Sequence, residues 1–310
     1  MQTVIIGAGP AGLSCANALL SFGIQPALIE RSANIGGAQR ANFHPNLWLL
    51  GAPPEESGRE LTARIAQHFA TLPVTIYRDT EVLSVDREMG QWRLQLETPE
   101  EGLTLLTHAL VLATGTQPRA SAQLQSWAQQ SPRVRIGPLS EAERDDWWQR
   151  RILILGGGDN ALDHALLLAG QGCVVDICTR GRLSARSQFI AQCAAHPHIR
   201  LHEQCVVTLD AADAVQVSVR FEGQHSVFDG LLVLWGYEPC LAVLERFAPE
   251  FRPRLEPSGH VRVDRWQRSS VPHLYACGDV TDTPQPSVAV AVAQGLTAAR
   301  AIERDLRMQT

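Results

Sequence analysis

Thr3-Val4-Ile5-Ile6-Gly7-Ala8-Gly9-Pro10-Ala11-Gly12 is an apolar run of strand character that breaks into a GxGxxG turn and continues into a helix signal from Ala11 to Phe22. Each glycine in that spacing has a mechanical purpose. Gly7 makes the tight turn, Gly9 lets a pyrophosphate approach the backbone, and Gly12 lets the helix pack closely on the sheet. The start of the helix, at Pro10 and Ala11, then presents the Ala11 amide hydrogen and a positive dipole end to phosphate oxygens, Pro10 itself carrying no N–H. The next strand, Pro26 to Ile29, runs into Glu30, 23 residues after Gly7, where a carboxylate accepts from a ribose hydroxyl. Strand, turn, helix and acid together predict a dinucleotide-binding unit.

The same arrangement recurs 149 residues later, as the strand Arg151 to Leu155, the turn Gly156-Gly157-Gly158-Asp159-Asn160-Ala161, a helix from Asn160 to Ala169 and a strand from Cys173 to Cys178. Here Gly156, Gly158, Asp159, Asn160 and Ala161 are expected to hold the nucleotide. The position that Glu30 takes in the first copy is Thr179, followed by Arg180, Arg182 and Arg186. A carboxylate would repel a 2′-phosphate, whereas guanidinium groups bind it with charge-assisted hydrogen bonds. The second copy therefore predicts NADPH rather than NADH.

Alternation of strands and helices means parallel sheets covered by helices, an α/β protein with two Rossmann-like domains. Between the copies, a helix is expected over Gly58 to Ala70 and an antiparallel meander over Val74 to Tyr77, Glu81 to Asp86 and Trp92 to Glu97. Ala109 to Ala113 reads as a buried strand that ends in a crossover at Thr114, Gly115 and Pro118. Leu231 to Trp235, followed by Gly236 and Pro239, reads as the return. The 310 residues carry 27 Lys plus Arg against 32 Asp plus Glu, a net charge of −5, which excludes a general nucleic-acid binder. Val4 to Leu28 is uncharged, but its glycines are too dense for a spanning helix and the basic start of a signal peptide is missing. The expectation is a soluble, cytoplasmic protein with no membrane partner. The cysteine count is odd, 7, with no CxxC pair, so buried thiols are expected rather than disulfides. Cys173 and Cys178 bracket a strand and cannot meet. No cluster of metal-ligand spacing is present, and no metal is expected.

A third element, Tyr275-Ala276-Cys277-Gly278-Asp279-Val280, precedes a helix starting near Ser287 and Val288. Asp279 can hydrogen-bond a ribityl hydroxyl, and the helix can aim its positive end at the pyrimidine edge of a flavin. This predicts FAD as the ligand of the first copy. The order GxGxxG with Glu30, Ala113-Thr114-Gly115, GGGDNALDHA and CGDV resembles the flavoproteins of the thioredoxin reductase type over essentially the whole chain. The resemblance implies an FAD domain over 1–117 and 238–310, an NADPH domain over 118–237, a homodimer, and a rotation between domains. It also implies FAD contacts at Arg31, Gly37, Ala38 and Gln39, at Thr114 and Gly115, and at Gly278, with Phe43 against the flavin and Val82 against the adenine.

Thioredoxin reductases of this type carry a redox CxxC in a window that here reads Leu139-Ser140-Glu141-Ala142. The stretch from Gly157 to Ala165 is instead similar to that of ferredoxin/flavodoxin-NADP reductases of the same type, which also lack the pair. Those usually have Gln where Ala38 stands and extend past their last helix, whereas this chain ends at Thr310. Hydride transfer between nicotinamide and flavin needs alignment more than an acid or base, so no catalytic side chain is assigned. His44 reads as an exposed loop histidine. The expected function is an FAD-dependent NADPH oxidoreductase that passes electrons to a ferredoxin- or flavodoxin-like partner. A small-molecule acceptor (a disulfide, a quinone or oxygen) is the alternative, and a nucleotide-binding redox sensor is the alternative of another class.

Overall fold

The computed structural model describes residues 3–42, 49–139, 146–221 and 223–308. It divides into two compact units, residues 1–116 with 239–310, and residues 117–238. The first opens with β1 (Thr3–Ile6), α1 (Pro10–Ser21), β2 (Pro26–Ile29), α2 (Gly58–Phe69) and β3 (Thr75–Tyr77). It continues through β4 (Glu81–Glu88), β5 (Gln91–Glu97), β6 (Gly102–Thr107) and β7 (Ala109–Leu112). From β8 (Thr116–Pro118) the chain enters α3 (Ala122–Gln130), β9 (Val134–Ile136), β10 (Arg151–Leu155), α4 (Asp159–Gly170), β11 (Val174–Cys178) and α5 (Ser187–Ala195). There follow β12 (Ile199–His202), β13 (Val207–Ala212), β14 (Val217–Phe221), β15 (Gln224–Phe228) and β16 (Gly230–Val233). The return strand β17 (Tyr237–Pro239) leads to β18 (Leu274–Ala276) and α6 (Val288–Arg307).

In the first unit, a parallel sheet runs β18-β7-β1-β2-β3. Both faces are covered, which is why β1 and β7 are buried throughout and, Thr3 apart, apolar rather than alternating. Ile5, Leu28 and Val111 point to the α1 and α6 side, and Val4, Ile6, Ile29 and Leu112 to the meander side. The second unit repeats the plan with order β12-β11-β10-β16-β9 and its own meander, β13-β14-β15. Ile152 and Ile154 pack with α4, and Leu153 and Leu155 beneath the meander. Cys173 and Cys178 accordingly enter different cores.

The meander of the first unit differs from the sequence expectation. Thr75–Tyr77 pairs parallel with β2, Ala27 opposite Thr75 and Ile29 opposite Tyr77, and so belongs to the main sheet. The antiparallel sheet is β4-β5-β6, whose third strand, Gly102–Thr107, was not anticipated. Burial explains the exchange. Ile76 packs into the helix-side core and Tyr77 into the other, a two-sided demand that only a strand of the main sheet meets. A two-residue turn with positive φ at Met89 (48°) and Gly90 (83°) joins β4 to β5.

Candidate functional site

The turn after β1 is built from close backbone approaches. Gly7 takes φ +105°, and a Cβ there would lie 2.3 Å from the Ala113 carbonyl oxygen. A Cβ on Gly12 would lie 2.0 Å from the Gly7 oxygen. Gly9 is different: it caps α1 in extended conformation, and the nearest atom to a Cβ would be Gly37 Cα at 3.8 Å. The space over Gly9 is open, as a pyrophosphate requires. Glu30 closes the loop from the other side. Its Oε2 accepts from Ala8 N–H at 3.0 Å, and its Oε1 accepts from the Ser32 amide at 2.9 Å and the Ser32 hydroxyl at 2.8 Å. A carboxylate has about four lone-pair sites, so it can still accept from a ribose.

Gly37 begins a short 3₁₀ turn, Gly37–Ala41, containing Ala38 and Gln39. The Gln39 side-chain Oε1 accepts from the Asn42 side-chain Nδ2 at 3.2 Å, and the Gln39 backbone oxygen from the Asn42 N–H at 3.0 Å. Gly278, at φ +79°, approaches the start of α1 so closely that a Cβ would lie 2.7 Å from Ala11 Cβ. Ser287 caps α6, its hydroxyl accepting from Val290 N–H at 3.3 Å, and Val288 is the first residue of that helix. The Thr114 hydroxyl donates to the Cys240 carbonyl at 2.8 Å, and Cys240 N–H to Gly115 O at 2.9 Å. The fold thus assembles Gly7 to Gly12, Glu30, Gly37 and Gly278 around one loop. Arg31 is exposed, and Val82 is half-buried against the meander core. Phe43 and His44 lie outside the described residues.

Asp279 tests whether a flavin suits this loop. Its Oδ1 is buried with no hydrogen-bond partner, and burial raises its carboxyl above the ordinary range, partly offset by His260. An unmet buried acceptor costs about 1–3 kcal/mol. A ligand hydroxyl at this position meets it, so the residues fit a ribityl chain.

In the second unit, a Cβ on Gly156 would lie 2.4 Å from the Leu234 oxygen, and one on Gly157 only 2.7 Å from the Thr179 hydroxyl. Gly158, the cap of α4, has only Ser184 Oγ, at 3.9 Å, near it. Thr179 therefore sits against the glycine turn, beside an open approach to Gly158 and the buried Ala161. The arginines are not equivalent. Arg186 engages both Asp159 oxygens, by its backbone N–H and its Nε, each at 2.8 Å. Arg180 packs over the Trp235 ring, 5.1 Å from its centroid. Arg182 lines a cavity of about 620 Å³ together with Leu183, Ile190, Leu201, Glu203 and Gln204.

Tyr237 was missed by the sequence reading. Its phenol, pushed up in pKa by burial, hydrogen-bonds the side chain of Asn160 in the first turn of α4. Gln294 was missed as well, although it stands only seven residues after Ser287, on the same helix. Its carbonyl accepts from Gly278 N–H at 2.7 Å. An amide in a run of Ala and Val on a helix was the available signal.

All seven cysteines are buried and none forms a disulfide. Burial pushes the Cys277 thiol up to about 12 from an ordinary 9.0, and raises Cys15 through burial first and the nearby Cys277 second. Both are expected to resist iodoacetamide at pH 7.5 in the native protein and to react after denaturation, which peptide mass spectrometry reads directly. Linkage adds a second consequence. A thiol whose folded pKa is raised contributes stability that is complete below the unfolded value and is lost as pH climbs toward the folded one. The melting temperature is therefore expected to fall between pH 9 and 12. Less alkaline loss in Cys277→Ala than in the wild type is the expected result, and an unchanged profile would count against it.

Among the described residues, no helix is long and apolar enough to cross a membrane, and no group of three or more His, Cys, Asp or Glu is placed to hold a metal ion. Residues 1–295 match the family model described as pyridine nucleotide-disulphide oxidoreductase. The chain is 26% identical over 249 residues to ferredoxin–NADP reductase 1 of Latilactobacillus sakei, covering 79% of this chain and 74% of that protein. It is 27% identical over 314 residues to a ferredoxin–NADP reductase of Albidiferax ferrireducens, covering 91% and 82%. Among solved structures it is similar to Lactococcus lactis thioredoxin reductase, with a TM-score of 0.82, 21% identity and 99% of each chain covered, a likeness of fold. With a family match across nearly its whole length and both glycine turns in place, the chain belongs to the pyridine nucleotide-disulphide oxidoreductase family and is an FAD-dependent NADPH oxidoreductase.

Proposed function

We propose that residues 1–117 and 238–310 hold FAD, that residues 118–237 hold NADPH, and that electrons pass onward to a ferredoxin- or flavodoxin-like protein. A flavin held there would supply the redox chemistry between nicotinamide and acceptor. The chain's own residues bind and orient. Gly9 admits the pyrophosphate, Glu30 holds a ribose, and Asp279 holds the ribityl chain. Gly158 and the start of α4 take the second pyrophosphate, and Arg180 and Arg182 are the arginines left to meet a 2′-phosphate.

The observation that carries the choice of acceptor is the state of the thiols: seven buried cysteines, none in a disulfide, and no CxxC provide no dithiol relay. A bound flavin would then have to supply the acceptor without a thiol between them. The names of the Latilactobacillus and Albidiferax relatives support a ferredoxin as the recipient. The proposed assembly is a cytoplasmic homodimer, which light scattering of the purified protein checks.

NADPH oxidation by the holoenzyme, measured against a panel of ferredoxins, flavodoxins, quinones, disulfides and oxygen, tests the reading. Turnover is expected to be fastest with a ferredoxin or flavodoxin, and negligible with thioredoxin. Cys15→Ser and Cys277→Ser are each expected to leave reduction of an artificial one-electron acceptor within about threefold of the wild type, since neither thiol acts on electrons. Abolished transfer in either variant with flavin still bound would replace direct transfer by a thiol relay. A small-molecule acceptor that outruns every protein would move the assignment to that class.

A further inference from the structure

The turn after β18 is held to α6 by one side chain. Gln294 Oε1 accepts from Gly278 N–H at 2.7 Å and from the Thr281 hydroxyl at 3.3 Å. Thr281 is fully buried; its amide donates to Gly278 O at 2.9 Å, and its one hydroxyl proton is shared between Gly278 O at 2.9 Å and the more distant Gln294 Oε1. Gly278, Thr281 and Gln294 therefore form a closed set of hydrogen bonds around the residue between them, Asp279, whose Oδ1 is left buried and unpartnered.

Gln294 also sits where α6 cannot move. Its neighbour Gly295 presses on α1 so closely that a Cβ there would lie 2.2 Å from Ala11 O and 2.9 Å from Cys15 N. Ser14 adds a hydrogen bond from its hydroxyl to Val292 O at 2.7 Å. From this fixed point the helix runs back two turns to its cap at Ser287, roughly 10 Å at 1.5 Å per residue.

We infer that Gln294 is a positioning residue for the flavin: its carbonyl fixes the Gly278 turn to α6, and so sets where Asp279 stands relative to the N-terminus of that helix. The inference rests on the proposed FAD site, in which Asp279 meets the ribityl chain and the helix start meets the pyrimidine edge. One side chain then governs two properties. The first is affinity, because Asp279 has to be in place for the ribityl hydroxyl. The second is the reduction potential, because the positive end of α6 favours the negative charge of a reduced flavin.

The experiment is FAD titration of apoprotein, followed by flavin fluorescence, and potentiometry of the holoenzyme, for wild type, Gln294→Leu and Gln294→Glu. Leucine removes the acceptor and leaves Gly278 N–H unpaired, so affinity is expected to fall on the order of tenfold and the potential to become more negative. Glutamate keeps an acceptor oxygen, so its affinity is expected to stay within about threefold of the wild type, while its added charge lowers the potential. A folded leucine variant with wild-type affinity and potential overturns the inference. Should the leucine variant not fold, the glutamate variant decides: retained affinity with a lowered potential supports the role, and an unchanged potential or lost flavin overturns it. Wild-type apoprotein that binds no FAD defeats the flavin reading itself, whatever the variants do.

Discussion

Gly9→Ala is expected to yield a folded protein that has lost its flavin. Gly9 already has φ −79° and ψ −178°, which alanine adopts without strain, and nothing closer than 3.8 Å meets the added Cβ. Apoprotein stability should therefore stay close to the wild type, since the gain of about 0.4–1 kcal/mol through the unfolded state is offset by the poorer N-cap that alanine makes for α1. The methyl group instead fills the space that a pyrophosphate needs. Displacing it from two amide donors removes charge-assisted bonds of about 1.5–3 kcal/mol each, roughly a hundredfold or more in affinity.

Gly12→Ala makes the instructive contrast. Its Cβ would stand 2.0 Å from a backbone oxygen, so α1 has to move off β1 and the fold itself is damaged. Flavin titration and apoprotein melting curves separate the two cases. A Gly9→Ala protein that binds FAD as tightly as the wild type would refute the phosphate role of this turn.

Arg180→Ala is expected to weaken NADPH by tenfold to over a hundredfold while leaving NADH almost unchanged. The range follows from one charge-assisted contact to a 2′-phosphate, about 1.5–3 kcal/mol, and NADH has no group for it to lose. Arg180 is the strongest of the candidates because its guanidinium already lies over Trp235, with less freedom to lose on binding. Arg182 has Glu203 as a neighbour in its cavity, a carboxylate that repels phosphate. Arg186 is committed to Asp159 by both its amide and its side chain. Its replacement by alanine is expected to act on both coenzymes alike, through the start of α4, and so to change their ratio little. Stopped-flow flavin reduction over a range of NADPH and NADH concentrations gives both constants. An equal loss for the two coenzymes in Arg180→Ala would deny it the 2′-phosphate.

The sequence by itself determined the fold class, because its signals are short-range. An apolar run, a glycine at Gly12 that a Cβ would bring to 2.0 Å from the Gly7 oxygen, and a helix that starts where the turn ends are all written within a few residues of one another. Written twice, those constraints specify two parallel sheets, and the missing acid at Thr179 and the missing CxxC are visible with no coordinates at all.

Tertiary structure decided what depends on sheet order and helix crossing. Thr75–Tyr77 looks like one more meander strand until β2 is available as its parallel neighbour. The arginines after Thr179 look interchangeable until Asp159 claims Arg186 and Trp235 claims Arg180. Gln294 and Tyr237 carry no local motif, and their partners Gly278 and Asn160 reach them only because α6 crosses α1 and β17 returns past α4. A turn is legible where bonded geometry restricts it. A contact between distant residues becomes legible only once the packing of the whole sheet has chosen which helices meet.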